Sequence, residues 1–110
     1  MSVLDKIKKR RFYPVDLGDG NVVNCRALTI GELRRLEVLD KELKTPFVMG
    51  VALVGDKGAA EFSKTGEESD VQFAERVREA IADVSTETIS AISQAIGKIG
   101  KVPEVETVKN

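Results

Sequence analysis

Histidine is absent from this chain, and its single cysteine, Cys25, stands inside an alternating apolar segment. Without an imidazole the commonest neutral-pH base and a common metal ligand are missing, so Ser-His-Asp and Cys-His nucleophilic arrangements are ruled out. Cys25 falls on the apolar side of a predicted strand, where a thiol acts as a small hydrophobe. One cysteine also cannot close an internal disulfide, which suits a reducing compartment. Asp16, Asp19 and Asn21 bear a passing likeness to a calcium loop, but the glutamate that closes such a loop is missing. Gly18-x-Gly20 is followed by neither Gly-Lys-Ser/Thr nor a helix start, so it is no phosphate loop. A hairpin turn accounts for both sets. The residues point to a non-enzyme that needs no cofactor and no metal.

Charge offers one more candidate. Lys6, Lys8, Lys9, Arg10 and Arg11 crowd the first residues, although the whole chain carries a net charge of only -1. The functional reading is an arm for nucleic acid or an acidic partner; the plain one is a solvated segment that keeps an edge strand from aggregating. The near-neutral balance argues against a dedicated nucleic-acid binder. With 42% apolar and 32% charged residues, the 110-residue chain is globular in composition and long enough for a core without staples. No apolar region follows the basic residues as in a signal peptide. The longest apolar run, Phe47 to Val54, is too short to span a bilayer. A soluble, cytoplasmic protein with no membrane partner is the expectation.

Stepping along the chain, residues 1–10 read as a flexible basic arm with one fraying turn around Val3, Leu4 and Ile7. Residues 11–100 read as a single α+β domain and 101–110 as a flexible tail. The domain opens on a β-hairpin. Tyr13, Val15 and Leu17 alternate with polar or turn-forming residues, and so do Val23, Cys25 and Ala27. Parity favours a three-residue loop, Asp19-Gly20-Asn21, pairing Leu17 with Val23, Val15 with Cys25 and Tyr13 with Ala27. Thr29-x-x-Glu32 is a capping box that starts a helix expected from Ile30 to about Lys44. Its stripe is Ile30, Leu33, Leu36, Leu39 and Leu43, and Thr45-Pro46 should end it. The run Phe47–Val54 is apolar on all sides; the Thr-Pro start tilts it towards helix. Gly55 to Gly58 reads as a turn, and Ala59 to Phe62 as a short extended return with Phe62 inward.

Two helices complete the domain, so the fold class is α+β: an N-terminal hairpin and then three or four helices. Ser69 or Asp70 caps the first, with Val71, Ala74, Val77, Ile81 and Val84 as its stripe. Ser85 caps the second, whose Ile89, Ile92, Ile96 and Ile99 recur at three- and four-residue steps and whose natural stop is Gly100. The isoleucine stripe has two readings. One is packing onto the preceding helix; the other is an exposed seam for self-association into a homo-oligomer or for a partner helix.

In order and type these features resemble the tail assembly chaperones of long-tailed, siphovirus-like bacteriophages. The likeness rests on Leu28-Thr29-Ile30-Gly31-Glu32-Leu33 at a helix start. It continues with Val54-Gly55-Asp56-Lys57-Gly58 followed by Phe62, then Ala91-Ile92-Ser93-Gln94-Ala95-Ile96 with Gly100. It covers about residues 12–100. The resemblance implies a protein of the infected host's cytoplasm, absent from the finished virion. Such a protein shields the tape measure protein and hands it to tail tube subunits. It also implies a frameshifted longer form, for which Gly97-Lys98 and Gly100-Lys101 are candidate slippage codons. On that reading the client meets apolar parts of the last two helices, with Val77, Ile81, Ile92, Ile96 and Ile99 as partner-binding residues. The competing expectations are a small nucleic-acid-associated regulator using Lys6–Arg11, and a minor structural tail or adaptor protein.

Overall fold

A computed structural model describes residues 2–8, 11–55 and 60–99, and the architecture is α+β. The short turn expected near the N-terminus is helix α1 (Val3–Lys8). Strands β1 (Tyr13–Gly18) and β2 (Asn21–Cys25) form the expected hairpin, but in a different register. Tyr13 pairs with Cys25, Val15 with Val23 and Gly18 with Asn21, and the ladder slips between Asp16 and Gly18. A two-residue turn thus replaces the expected three-residue loop, and Leu17 is the extra residue of a bulge. Both central turn residues are left-handed, Asp19 at φ 55° and Gly20 at φ 81°, the geometry that Asp-Gly favours in tight hairpins. The Gly18 N–H donates to Asp16 Oδ1 at 2.8 Å, which holds the bulge. Turn and bulge together shift the register by two residues, an even number. The apolar face therefore survives, with Val15, Leu17, Val23 and Cys25 all turned to the core.

The single helix expected over 30–44 is two: α2 (Ile30–Glu37) and α3 (Lys41–Ala52). The stripe itself explains the break. At about 100° per residue, the nine residues from Ile30 to Leu39 rotate the chain by about half a turn, so one straight helix would point them to opposite sides. Breaking at Val38–Asp40 lets Leu39 and Leu43 enter the core while Ile30 and Leu33 remain outside. Thr45-Pro46 does not end the helix; Pro46 is buried within α3. The all-apolar run is helix as far as Ala52 and then strand β3 (Leu53–Val54), antiparallel to β2. Val54 bridges Ala60, and the Glu61 N–H donates to the Leu53 carbonyl at 3.1 Å, so the extended return is present with Phe62 packed on the core. Of the turn before it, residues 56–59 lie outside the described residues. So do Gly100 and the 101–110 tail.

Helix α4 (Asp70–Ala80) begins in a reciprocal capping box of Ser69 and Gln72. Helix α5 (Thr86–Ile99) begins with the Thr88 N–H donating to Ser85 Oγ at 3.2 Å. The core lies where α3 crosses α4. Phe47 and Phe73 meet edge to face, their ring centroids 6.2 Å apart, and both are buried with Met49 and Val77. Gly50 makes that crossing possible: a Cβ there would lie 2.5 Å from Phe73 Cε2 and 2.8 Å from Val77 Cγ2. At the end of α3, the Arg26 N–H donates to the Ala52 carbonyl at 2.9 Å and Arg26 Nε to that of Val51 at 3.0 Å. Carbonyls that a helix end leaves without partners are thereby satisfied by Arg26, just past β2.

Candidate functional site

Helix α2 has alternating polar and apolar sides, yet none of its eight residues is buried. Glu32 is spent on the cap: its carboxylate accepts from the Thr29 N–H at 2.9 Å, and its own N–H donates to Thr29 Oγ1 at 3.1 Å. Arg35 is spent on docking. It grips Asp70 at the start of α4 with two parallel hydrogen bonds, Nη2–Oδ1 at 2.8 Å and Nε–Oδ2 at 3.1 Å, and its guanidinium lies 5.5 Å from the centre of the Phe47 ring. Lys64 adds a third bond to Asp70 at 2.9 Å. Hydrogen bonds from Arg35, working against partial desolvation and joined by those from Lys64, hold the Asp70 carboxyl at about 2. The helix is therefore fastened by its polar side, and of its apolar side Leu36 packs against the core while the rest is left over. Ile30 is 71% exposed and Leu33 47% exposed.

That leftover side forms one wall of a groove of about 310 Å³. Leu28, Leu33 and Leu36 line it from α2 and the residues before it. Lys44, Thr45 and Val48 of α3 make the floor, and Ser93, Ile96 and Gly97 of α5 make the far wall. Small side chains on the α5 wall keep it open: a Cβ at Gly97 would meet nothing within 4 Å. Ser93 Oγ is buried in this wall with no hydrogen-bond partner. Lys44 is the one charged residue of the lining, half-buried, with no ion pair among the described residues. Ser93 Oγ, without a hydrogen-bond partner, has no base bonded to it. Nor do the described residues contain a group of three or more metal-ligating side chains. What the groove can do is cover apolar surface of another polypeptide.

The structure treats the sequence-derived candidates unequally. Val77, Ile92 and Ile96 are not exposed but buried, and Val77 is sealed beneath Gly50. The isoleucine stripe is therefore core, as its plainer reading held, but it packs mainly on β1 and α3 and not on the preceding helix. Ile81 is half-buried as the C-cap of α4, so the helix stops short of Val84, to which the predicted stripe continued. Ile99 is half-buried and shares a smaller, more polar hollow with Ile7, Arg11 and Tyr13. Ile96 alone of the five reaches the groove. In the basic arm, Lys6 and Lys8 fall on α1, Arg11 follows it exposed, and Lys9 and Arg10 lie outside the described residues.

Sequence reasoning missed Leu33, Leu36, Lys44 and Val48 as lining residues, and it missed Phe73 in the core. The half-turn rotation between Ile30 and Leu39 is the signal that would have separated exposed leucines from buried ones. Cys25 is fully buried and its thiol is pushed up by burial, which keeps it protonated and unreactive. No described helix is long and apolar enough to cross a membrane. No family model, curated protein or solved structure matches the chain.

Proposed function

We propose that this protein is a phage tail assembly chaperone that binds the tape measure protein and holds it for tail tube assembly. The observation that carries the reading is the groove: an open, largely apolar surface walled by α2 and α5. A chaperone of a long helical client needs reversible burial of apolar surface, and a shallow groove with adaptable leucine walls suits that better than a deep pocket. The order of sequence features supports the choice of client, from Leu28-Thr29-Ile30 at the α2 start to Ala91–Ile96 in α5. On this reading the protein acts in the infected host's cytoplasm and leaves before the particle is finished.

Two measurements test it together. Co-expression with the tape measure protein of the same virus should keep that client soluble and bring it down with the chain. Mass spectrometry of purified particles should then find no copies. A stoichiometric complement in mature particles makes the chain a structural tail or adaptor protein instead, and a client that precipitates regardless of co-expression removes the chaperone reading.

A further inference from the structure

The lining of the groove says more about its occupant than that it is apolar. Its walls are the sides of helices, and no residue of β1, β2 or β3 lines it. No ladder edge is available there for an extended peptide, so an occupant must satisfy its own main chain, as a helix does. Small side chains at Ser93 and Gly97 allow a helix backbone to come close to α5. Lys44 is the one charged residue of that lining, beside the hydroxyl residues Thr45 and Ser93, with no carboxylate paired to it among the described residues. An apolar partner would strip water from that charge uncompensated, which is unfavourable, whereas a carboxylate would turn the same burial into a charge-assisted hydrogen bond.

We infer that the groove takes an amphipathic helix of another polypeptide that carries a glutamate or aspartate beside its apolar stripe, positioned to pair with Lys44. The inference rests on the chaperone reading only for the identity of the client; the chemistry of the occupant comes from the groove. The acidic residue sets the register of the client, because sliding the helix by one residue rotates it by about 100° and swings the carboxylate away from Lys44. A long helical client would therefore be held at those turns where an acid borders the apolar face.

The test uses three synthetic 21-residue amphipathic helical peptides that differ only at one stripe-bordering position, occupied by Glu, Gln or Lys. Affinity for the full chain is read by fluorescence anisotropy. The Glu peptide is expected to bind roughly three- to tenfold tighter than the Lys peptide, with Gln between them. Lys44→Glu should reverse that order. Gly97→Leu should weaken all three by more than about tenfold while leaving the melting temperature equal or higher, because leucine raises helix propensity where a side chain has open space. Equal affinity for the three peptides, or undiminished binding by Gly97→Leu, overturns the inference. So does a wild-type dimer that Gly97→Leu converts to a monomer, since a second copy would then be the occupant. So too does a large gain in peptide affinity on removing residues 101–110, which would make the chain's own tail the occupant. Acid-selective peptide binding without capture of the tape measure protein would leave the groove chemistry standing and remove only the client's identity.

Discussion

Helix α3 has two sides that have been treated in opposite ways. Towards α4, Phe47 and Gly50 meet Phe73 and Val77 so closely that a single added methyl group would collide. Towards α2 and α5, Lys44, Thr45 and Val48 look into open space beside Leu33, which stays exposed, and the half-buried Leu28 and Leu36. The closed side is apolar, whereas the open side mixes Lys44 and Thr45 with Val48, and there no partner helix closes down. Helix α4 closes because Gly50 lets it approach, and the Arg35–Asp70 ion pair between α2 and the start of α4, joined by Lys64, holds the frame around it. Helix α2 is held by that same ion pair at its polar side, and of its apolar side Leu36 packs on the core while Ile30 and Leu33 stay outside. One side of α3 is closed core and the other stays open.

Four substitutions or changes of condition set the two sides against each other. Phe73→Ala removes one of the two phenylalanines of the closed side and should destabilise the chain by about 3–5 kcal/mol, read by urea unfolding. Gly50→Ala should cost about 1–3 kcal/mol, because Phe73 and Val77 must move to admit the methyl group. A Gly50→Ala variant as stable as the wild type would mean the α3–α4 contact is looser than the structure shows. Ser93→Ala acts on the open side and should go the other way, adding up to about 1 kcal/mol by removing a buried hydroxyl without a partner.

The smallest effect belongs to the hinge between the sides. The carboxyl of Asp70 is held below its ordinary value of 3.8, at about 2, so its contribution is present above pH 4 or so and fades as pH falls towards 2. Because the pair is partly solvent-screened, Asp70→Asn should cost less than about 1 kcal/mol near neutrality and should flatten the acid limb of the stability curve. A variant with the same acid limb as the wild type would show that the Arg35–Asp70 pair does not fasten α2.

Much of the scaffold was legible in the residues, because short-range chemistry decides it. The Thr29–Glu32 box and the Ser69 and Ser85 caps each start a helix where they stand. Alternation assigned Cys25 and Val23 to the core, and it still held after the register moved, since turn and bulge together shifted the pairing by an even number. The bulge itself was invisible to parity, because an extra residue restores the faces that a two-residue loop alone would mix. What local pattern could not supply was direction. Ile30, Leu33 and Leu36 look the same as Leu39 and Leu43 until the rotation of the helix is followed residue by residue. The reverse error befell Ile92 and Ile96, whose narrow stripe reads equally well as a seam or as core and turned out to face β1 and α3. Pro46 in α3 followed the same logic, in that burial of the surrounding apolar run outweighed the local preference of proline to end a helix.

The central claim is that the open side of α3, and no other exposed apolar surface, receives the client. It is tested most directly by a photo-crosslinking amino acid placed at Leu33, on the groove wall, or at Val71, exposed on α4. Each variant is co-produced with the tape measure protein and irradiated. A crosslink from position 33 and none from position 71 is the predicted result; crosslinking from 71 alone, or equally from both, contradicts the account.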